Sequence, residues 1–104
     1  MNDKRLEQLK TDFFDAWSKL KIDEKLDEQA KLEDEVADPE IWKNPENARE
    51  KNERLARLKE STGDWQILKM QINDISELLE LSDEGLESEI EAQIGAMEQN
   101  FSNL

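Results

Sequence analysis

Glu77, Glu80 and Glu84 recur at spacings of three and four residues, and Glu87 with Glu91 and Glu24 with Glu28 repeat the spacing of four. On a helix, that spacing places carboxylates on one face. Paired carboxylates bind divalent metals or do acid–base chemistry when a formed, partly buried site holds them. The sequence offers them few collaborators. It contains no His, Cys or Tyr, so the commonest general bases and nucleophiles are missing. It carries no calcium-loop pattern and no glycine-rich phosphate loop. The simpler account of these glutamates is a solvated acidic face, and the sequence predicts no catalytic residue, no metal site and no cofactor.

A second cluster has the opposite sign. Lys43, Arg49, Lys51, Arg54, Arg57 and Lys59 fall within residues 43–60, where six basic side chains meet four acidic ones. Glu50–Arg54 and Glu53–Arg57 are i,i+4 pairs in the favourable order, so mutual support on an exposed helix accounts for them. Contact of Arg49, Arg54 and Arg57 with RNA or an acidic partner is the other reading, and both stay open. The flanks differ: residues 1–42 carry a net charge of −6 and residues 61–104 a net of −9, within a total of −13. Most of the surface should therefore repel nucleic acid, and only the middle stretch can approach phosphates without penalty.

The elements that must position these residues are helical. Hydrophobic residues make up 36% of the chain and charged residues 39%, which predicts a narrow core. Three glycines, two prolines and no alternating strand run favour an all-α protein. No apolar run approaches membrane-spanning length, and the polar start "MNDKRLEQLK" lacks a signal-peptide core, so a cytoplasmic protein without a membrane is expected.

Leu6, Leu9, Phe13, Ala16, Trp17 and Leu20 predict an amphipathic helix over about Asp3–Ile22. After a break near Lys21–Asp23, Asp23 is expected to cap a second helix over Glu24–Ala37, with Leu26, Ala30, Val36 and Ala37 apolar and Leu32 off that line. Then comes "ADPEIWKNPENA". Asp38–Pro39 and Asn44–Pro45 are each a cap followed by a first-turn proline, which predicts a one-turn corner and a new helix from Pro45. Pro39, Trp42 and Pro45 form that corner, with Trp42 as a packed wedge. Leu58, Trp65, Ile72 and Leu79 lie seven apart, with Leu55, Thr62, Leu68 and Ile75 as companion seam. That phase passes through Gly63, so one helix is expected from Pro45 to about Leu81. Ser82 or Asp83 should cap a last helix with Leu86, Ile90, Ile94, Met97, Phe101 and Leu104 inward. Trp17, Trp65, Met70 and Met97 read as core, and one ring of the Phe13, Phe14 and Trp17 group could remain exposed.

The third helix would be about 55 Å long and the last about 30 Å. The last can cover only the later half of the third, so the first two helices are expected on its earlier half. The predicted architecture is an all-α antiparallel helical bundle of about four helices, with a long protruding, coiled-coil-like helical hairpin.

"LEDEVADPEIWKNPENAREKNERLARLK" resembles the N-terminal domain of bacterial peptide chain release factors. Asp38, Pro39, Glu40, Ile41, Trp42, Asn44, Pro45 and Glu46 match the family's double-proline corner, and Trp65 and "ISELLELSDE" match further along. The resemblance covers nearly all of residues 1–104 and is nearest to the branch reading UAA and UGA. It implies a role in translation termination, with contact between this domain and the ribosome (stalk base, ribosomal RNA and protein). It also implies communication with the GTPase release factor. The family's codon-reading Ser-Pro-Phe and catalytic Gly-Gly-Gln lie beyond this domain, and neither string occurs among these residues. A single excised domain, monomeric or weakly dimeric and without catalysis of its own, is therefore expected. The alternatives are a free-standing acidic helical adaptor pairing through its seam and, more remotely, a metal-dependent carboxylate enzyme.

Overall fold

A computed structural model describes residues 2–81 and 84–104. Four α-helices dominate it: α1 (Asn2–Lys19), α2 (Ile22–Ala37), α3 (Pro45–Leu81) and α4 (Glu87–Ser102). Short 3₁₀ helices at Pro39–Lys43 and Glu84–Leu86 precede α3 and α4. The helix expected from Pro45 to Leu81 is continuous through Gly63, where an added Cβ would meet nothing within 4 Å. The caps expected at Ser82 and Asp83 lie outside the described residues. Leu86 occupies the position before α4 and makes no side-chain cap.

The chain divides into two compact units. One joins the residues up to Trp17 with Asp64–Leu104, and the other is Ser18–Gly63. In the first unit α1 buries Leu6, Leu9, Phe13 and Trp17, the later half of α3 buries Trp65, Leu68, Ile72 and Ile75, and α4 buries Ile90, Ile94 and Met97. Each set repeats at three and four residues, so three apolar stripes close on one another. Phe13 is at the centre, with ring centroids 5.5 Å from Trp65, 5.6 Å from Trp17 and 6.1 Å from Phe101. Asn2 donates to the Glu87 carbonyl at 3.3 Å and Phe13 meets Phe101, so α1 runs parallel to α4. Arg5 ties the two together, 2.6 Å from Glu98 and 3.7 Å from Glu91; the Glu98 hydrogen bond raises its pKa. The Lys69 ammonium sits 4.9 Å from the centroid of the Trp17 ring.

This pairing corrects the expected one. α1 serves the later half of α3, because its aromatic stripe finds Trp65 there and Phe101 on the adjoining α4. The earlier half is paired with α2 in the second unit. Met70 is also reassigned: it is 59% exposed, being off the α3 seam. Leu20 and Leu104 are exposed as well. Phe14, against Phe13 in an edge contact at 5.1 Å, is the ring of its group left toward solvent.

In the second unit the break after α1 is made by backbone. Lys21 adopts φ 56, ψ 45, the left-handed region that ends a helix. Helix α2 therefore starts at Ile22 with no side-chain cap, so Asp23 is inside the helix and not its cap. Starting there also shifts the stripe. Ile22 and Leu32 are buried, whereas Ala30 and Ala37 are exposed. Ala48, Leu55 and Thr62 of α3 are buried in the same unit. The Thr62 hydroxyl donates to Gln29 Oε1 at 2.8 Å, which satisfies a buried polar group. Lys51–Glu35, Lys59–Glu33 and Thr62–Gln29 contacts ascend α3 as they descend α2, the order of an antiparallel hairpin.

The connection is built from its two Asx-Pro steps. Asp38 accepts from the Glu40 N–H at 3.0 Å and Asn44 from the Asn47 N–H at 3.3 Å, and each proline fills a first turn that needs no N–H. Trp42 differs from its expected burial. It is 48% exposed, with the indole N–H donating to the Val36 carbonyl at 3.0 Å. It ties the 3₁₀ turn to the end of α2 and does not fill a core. Trp42→Ala is expected to lose about 2 kcal/mol, one hydrogen bond plus partial burial, short of the 3–5 kcal/mol of a fully buried aromatic. Urea denaturation followed by circular dichroism measures the difference.

Candidate partner-binding surface

The antiparallel α2–α3 hairpin leaves an open groove of about 560 Å³ along its flank. Leu32 is its apolar floor. Its walls are charged: Glu28, Lys31 and Glu35 from α2 face Lys51, Arg54 and Arg57 from α3, with Glu50 and Glu53 beside them. These α2 residues recur at three and four positions, so one face of that helix presents all of them.

The structure separates the basic residues of the middle stretch into two groups. Lys51 lies 2.7 Å from Glu35, Lys59 3.4 Å from Glu33 and Lys43 2.9 Å from Glu40, while Arg54 pairs with Glu28. Among the described residues, Arg49 and Arg57 make no ion pair; both are exposed. Arg57 lines the groove; Arg49 lies two turns earlier on α3 and is not part of the lining. The i,i+4 pairs expected with Glu50 and Glu53 are replaced for Arg54 by Glu28, because the neighbouring helix brings a carboxylate across the interface. Sequence reasoning missed the α2 half of this surface. The only signal was the repeat Glu28, Lys31, Glu35 around Leu32, a residue assigned off the stripe.

The Lys51 hydrogen bond holds the Glu35 carboxyl below the ordinary carboxylate range, against partial desolvation that pulls it upward; the charges of Lys51 and Lys31 add to the lowering. A carboxylate depressed on folding stabilises the fold above its unfolded pKa, and that contribution vanishes as pH falls through the folded value. Native chain should therefore lose more stability between pH 7 and about pH 3 than Glu35→Gln does, the carboxylate range being set by its usual values. Urea midpoints at the two pH values test this; equal losses would contradict it.

The carboxylate sets behave as surface groups. Glu28 and Glu91 meet arginines, and Glu24, Glu77, Glu80 and Glu87 are exposed. Among the described residues, no three potential ligands converge as a metal site requires. No helix among them is long and apolar enough to cross a membrane.

An all-helical domain carrying a charged α2–α3 hairpin is the class of protein this geometry defines. Its residues 25–104 match the family profile of the PCRF domain, and the chain belongs to that family. Curated relatives extend the match. The chain is 32% identical over 101 residues to "Peptide chain release factor 2" of Chloroflexus aggregans, covering 93% of this chain and 28% of the relative. It is 33% identical over 69 residues to the protein of that name from Thermomicrobium roseum, and 38% over 66 residues to that of Pseudothermotoga lettingae. Those two alignments cover 66% and 62% of this chain and 18% of each relative. The chain thus spans between 18% and 28% of the length of these relatives. No solved structure matches it significantly.

Proposed function

We propose that this chain is the N-terminal domain of a peptide chain release factor, acting in translation termination at UAA and UGA codons. The observation that carries the reading is the alignment with peptide chain release factor 2 along 93% of the chain. In this account the domain contributes contact and no catalysis. Its docking side is the α2–α3 hairpin, where Arg49 and Arg57, with Arg54 between them, face the stalk base of the ribosome. Phosphates there replace the carboxylates those two arginines lack. The GTPase release factor is a further partner in the same region. Elsewhere the negative surface keeps the domain from binding RNA indiscriminately.

The experiment is sedimentation of the chain with ribosomes over a salt series. Arg49→Glu with Arg57→Glu should weaken association at least tenfold at low salt and flatten the salt dependence, since about two phosphate contacts are lost. Thermal stability should barely change, because neither side chain is ion-paired. Equal binding by native and doubly reversed chains would sink the assignment of this face.

A further inference from the structure

The first unit carries a second surface, different in chemistry from the arginine-bearing hairpin. Between the later half of α3 and α4 lies an open groove of about 270 Å³ that meets another of about 170 Å³; Gln71 and Asn100 line both. Its floor is apolar, from Leu68 and Ile75 of α3 and Met97 of α4. At one end Ile67 and Leu104 line it while remaining 52% and 42% exposed. Its charged lining is acidic only, Asp64 and Asp74, and its other polar groups are side-chain amides. Residues 61–104, which contain the whole groove, carry ten acidic side chains and one basic one, a net of −9.

We infer that this α3–α4 groove docks a basic amphipathic helix of a protein partner. Apolar anchors at i, i+3 or i+4, and i+7 would cover the exposed Ile67 and Leu104 and lie along the buried floor of Leu68, Ile75 and Met97. Lysines and arginines beside them would meet Asp64 and Asp74, and the amides would accept or donate to the polar edge. This is the helix-in-groove mode of recognition. From Asp64 to Ile75 the floor is about 16 Å long, so it accommodates about three turns of helix. Charge decides between occupants. Nucleic acid is repelled by the acidic walls, and a second copy of this chain brings a net charge of −13 to the same place. A cationic helix gains both in steering and in the bound state.

The test uses the full 104-residue chain and a synthetic peptide of about 18 residues, with leucines on one helical face and lysines on the rest. Binding is followed by calorimetry and by methyl NMR shifts. Shifts should concentrate at Ile67, Met97 and Leu104. The double variant I67S/L104S should bind about tenfold more weakly, and D64K/D74K should do the same. All four residues are on the surface, so unchanged melting curves keep a loss of binding interpretable. R57E, on the other unit, should bind as native. A shuffled peptide of identical composition, or one with glutamates in place of lysines, should bind at least tenfold more weakly. Equal binding of the shuffled peptide would reduce the interaction to unspecific charge attraction and overturn the inference. So would shifts located on the α2–α3 hairpin, or I67S/L104S binding as native. No ribosome enters the assay, so its failure leaves the release-factor reading untouched.

Discussion

Phe13→Ala removes about 3–5 kcal/mol of folding stability, the range for deleting a fully buried aromatic ring. Phe13 has no exposed surface and contacts Phe14, Trp17, Trp65 and Phe101. Its ring joins all three helices of its unit. Truncation leaves a cavity bounded by large, stiff aromatic side chains, which cannot collapse into it easily. A domain of this length has a total stability of about 5–15 kcal/mol, so the variant should lose about a fifth of it or more. Chemical denaturation followed at 222 nm should show a lower midpoint with an unchanged slope. Near-ultraviolet circular dichroism should weaken as the Trp17 and Trp65 rings lose their fixed neighbour. A midpoint within experimental error of the native chain would mean that α1 does not pack on α3 and α4 as described.

Ile22→Ala is the second large loss, about 2–5 kcal/mol. Ile22 is 1% exposed at the first position of α2. The hairpin unit has a thin core: Leu32, Ala48, Leu55 and Thr62 are its other buried residues. Each large apolar side chain therefore carries a large share of the hydrophobic stabilisation. The preceding Lys21 is held in left-handed geometry, which costs about 1–2 kcal/mol for a residue with a Cβ. Burial of Ile22 is what offsets that cost and fixes the turn between α1 and α2. Loss of the methyl groups should thus loosen the turn too, and exchange of the Lys25 amide, which donates to the Lys21 carbonyl at 3.1 Å, should accelerate beyond the global change. A stability loss below about 0.5 kcal/mol, the scale of an ordinary surface change, would contradict the burial.

These two residues also mark what was legible in the sequence. The α3 seam was readable end to end, because Leu55, Thr62, Trp65, Leu68, Ile72 and Ile75 keep one phase on one helix. Phe13 and Trp17 were readable for the same reason. Ile22 was assigned to the end of the first helix, since nothing in "KLKID" announces a left-handed lysine. That displacement rotated the expected α2 stripe and pushed Leu32 off it. The polar members of the α2 face were beyond periodicity altogether. Gln29 and Glu35 sit toward α3 because Thr62 and Lys51 receive them, and the register of two helices is a tertiary fact.

The candidate surface was legible by composition and only partly by geometry. A basic stretch in an acidic chain singles out Arg49, Arg54 and Arg57. Local spacing can propose only i,i+4 partners, so it assigned Arg54 to Glu50, when the neighbouring helix supplies Glu28. Trp42 is the converse case. The double-proline corner is the most recognisable stretch of the chain, yet its tryptophan makes one backbone hydrogen bond and stays half in solvent. Distinctive sequence here belongs to turn geometry more than to a core.

The most direct measurement replaces the matching segment of a full-length peptide chain release factor 2 with this chain and follows stop-codon-dependent peptide release. The account predicts release at UAA and UGA but not at UAG, a slower rate when Arg49 and Arg57 are both reversed to glutamate, and none from the free 104-residue chain. A folded chimera that neither binds ribosomes nor releases peptide would contradict it, as would release by the free chain alone.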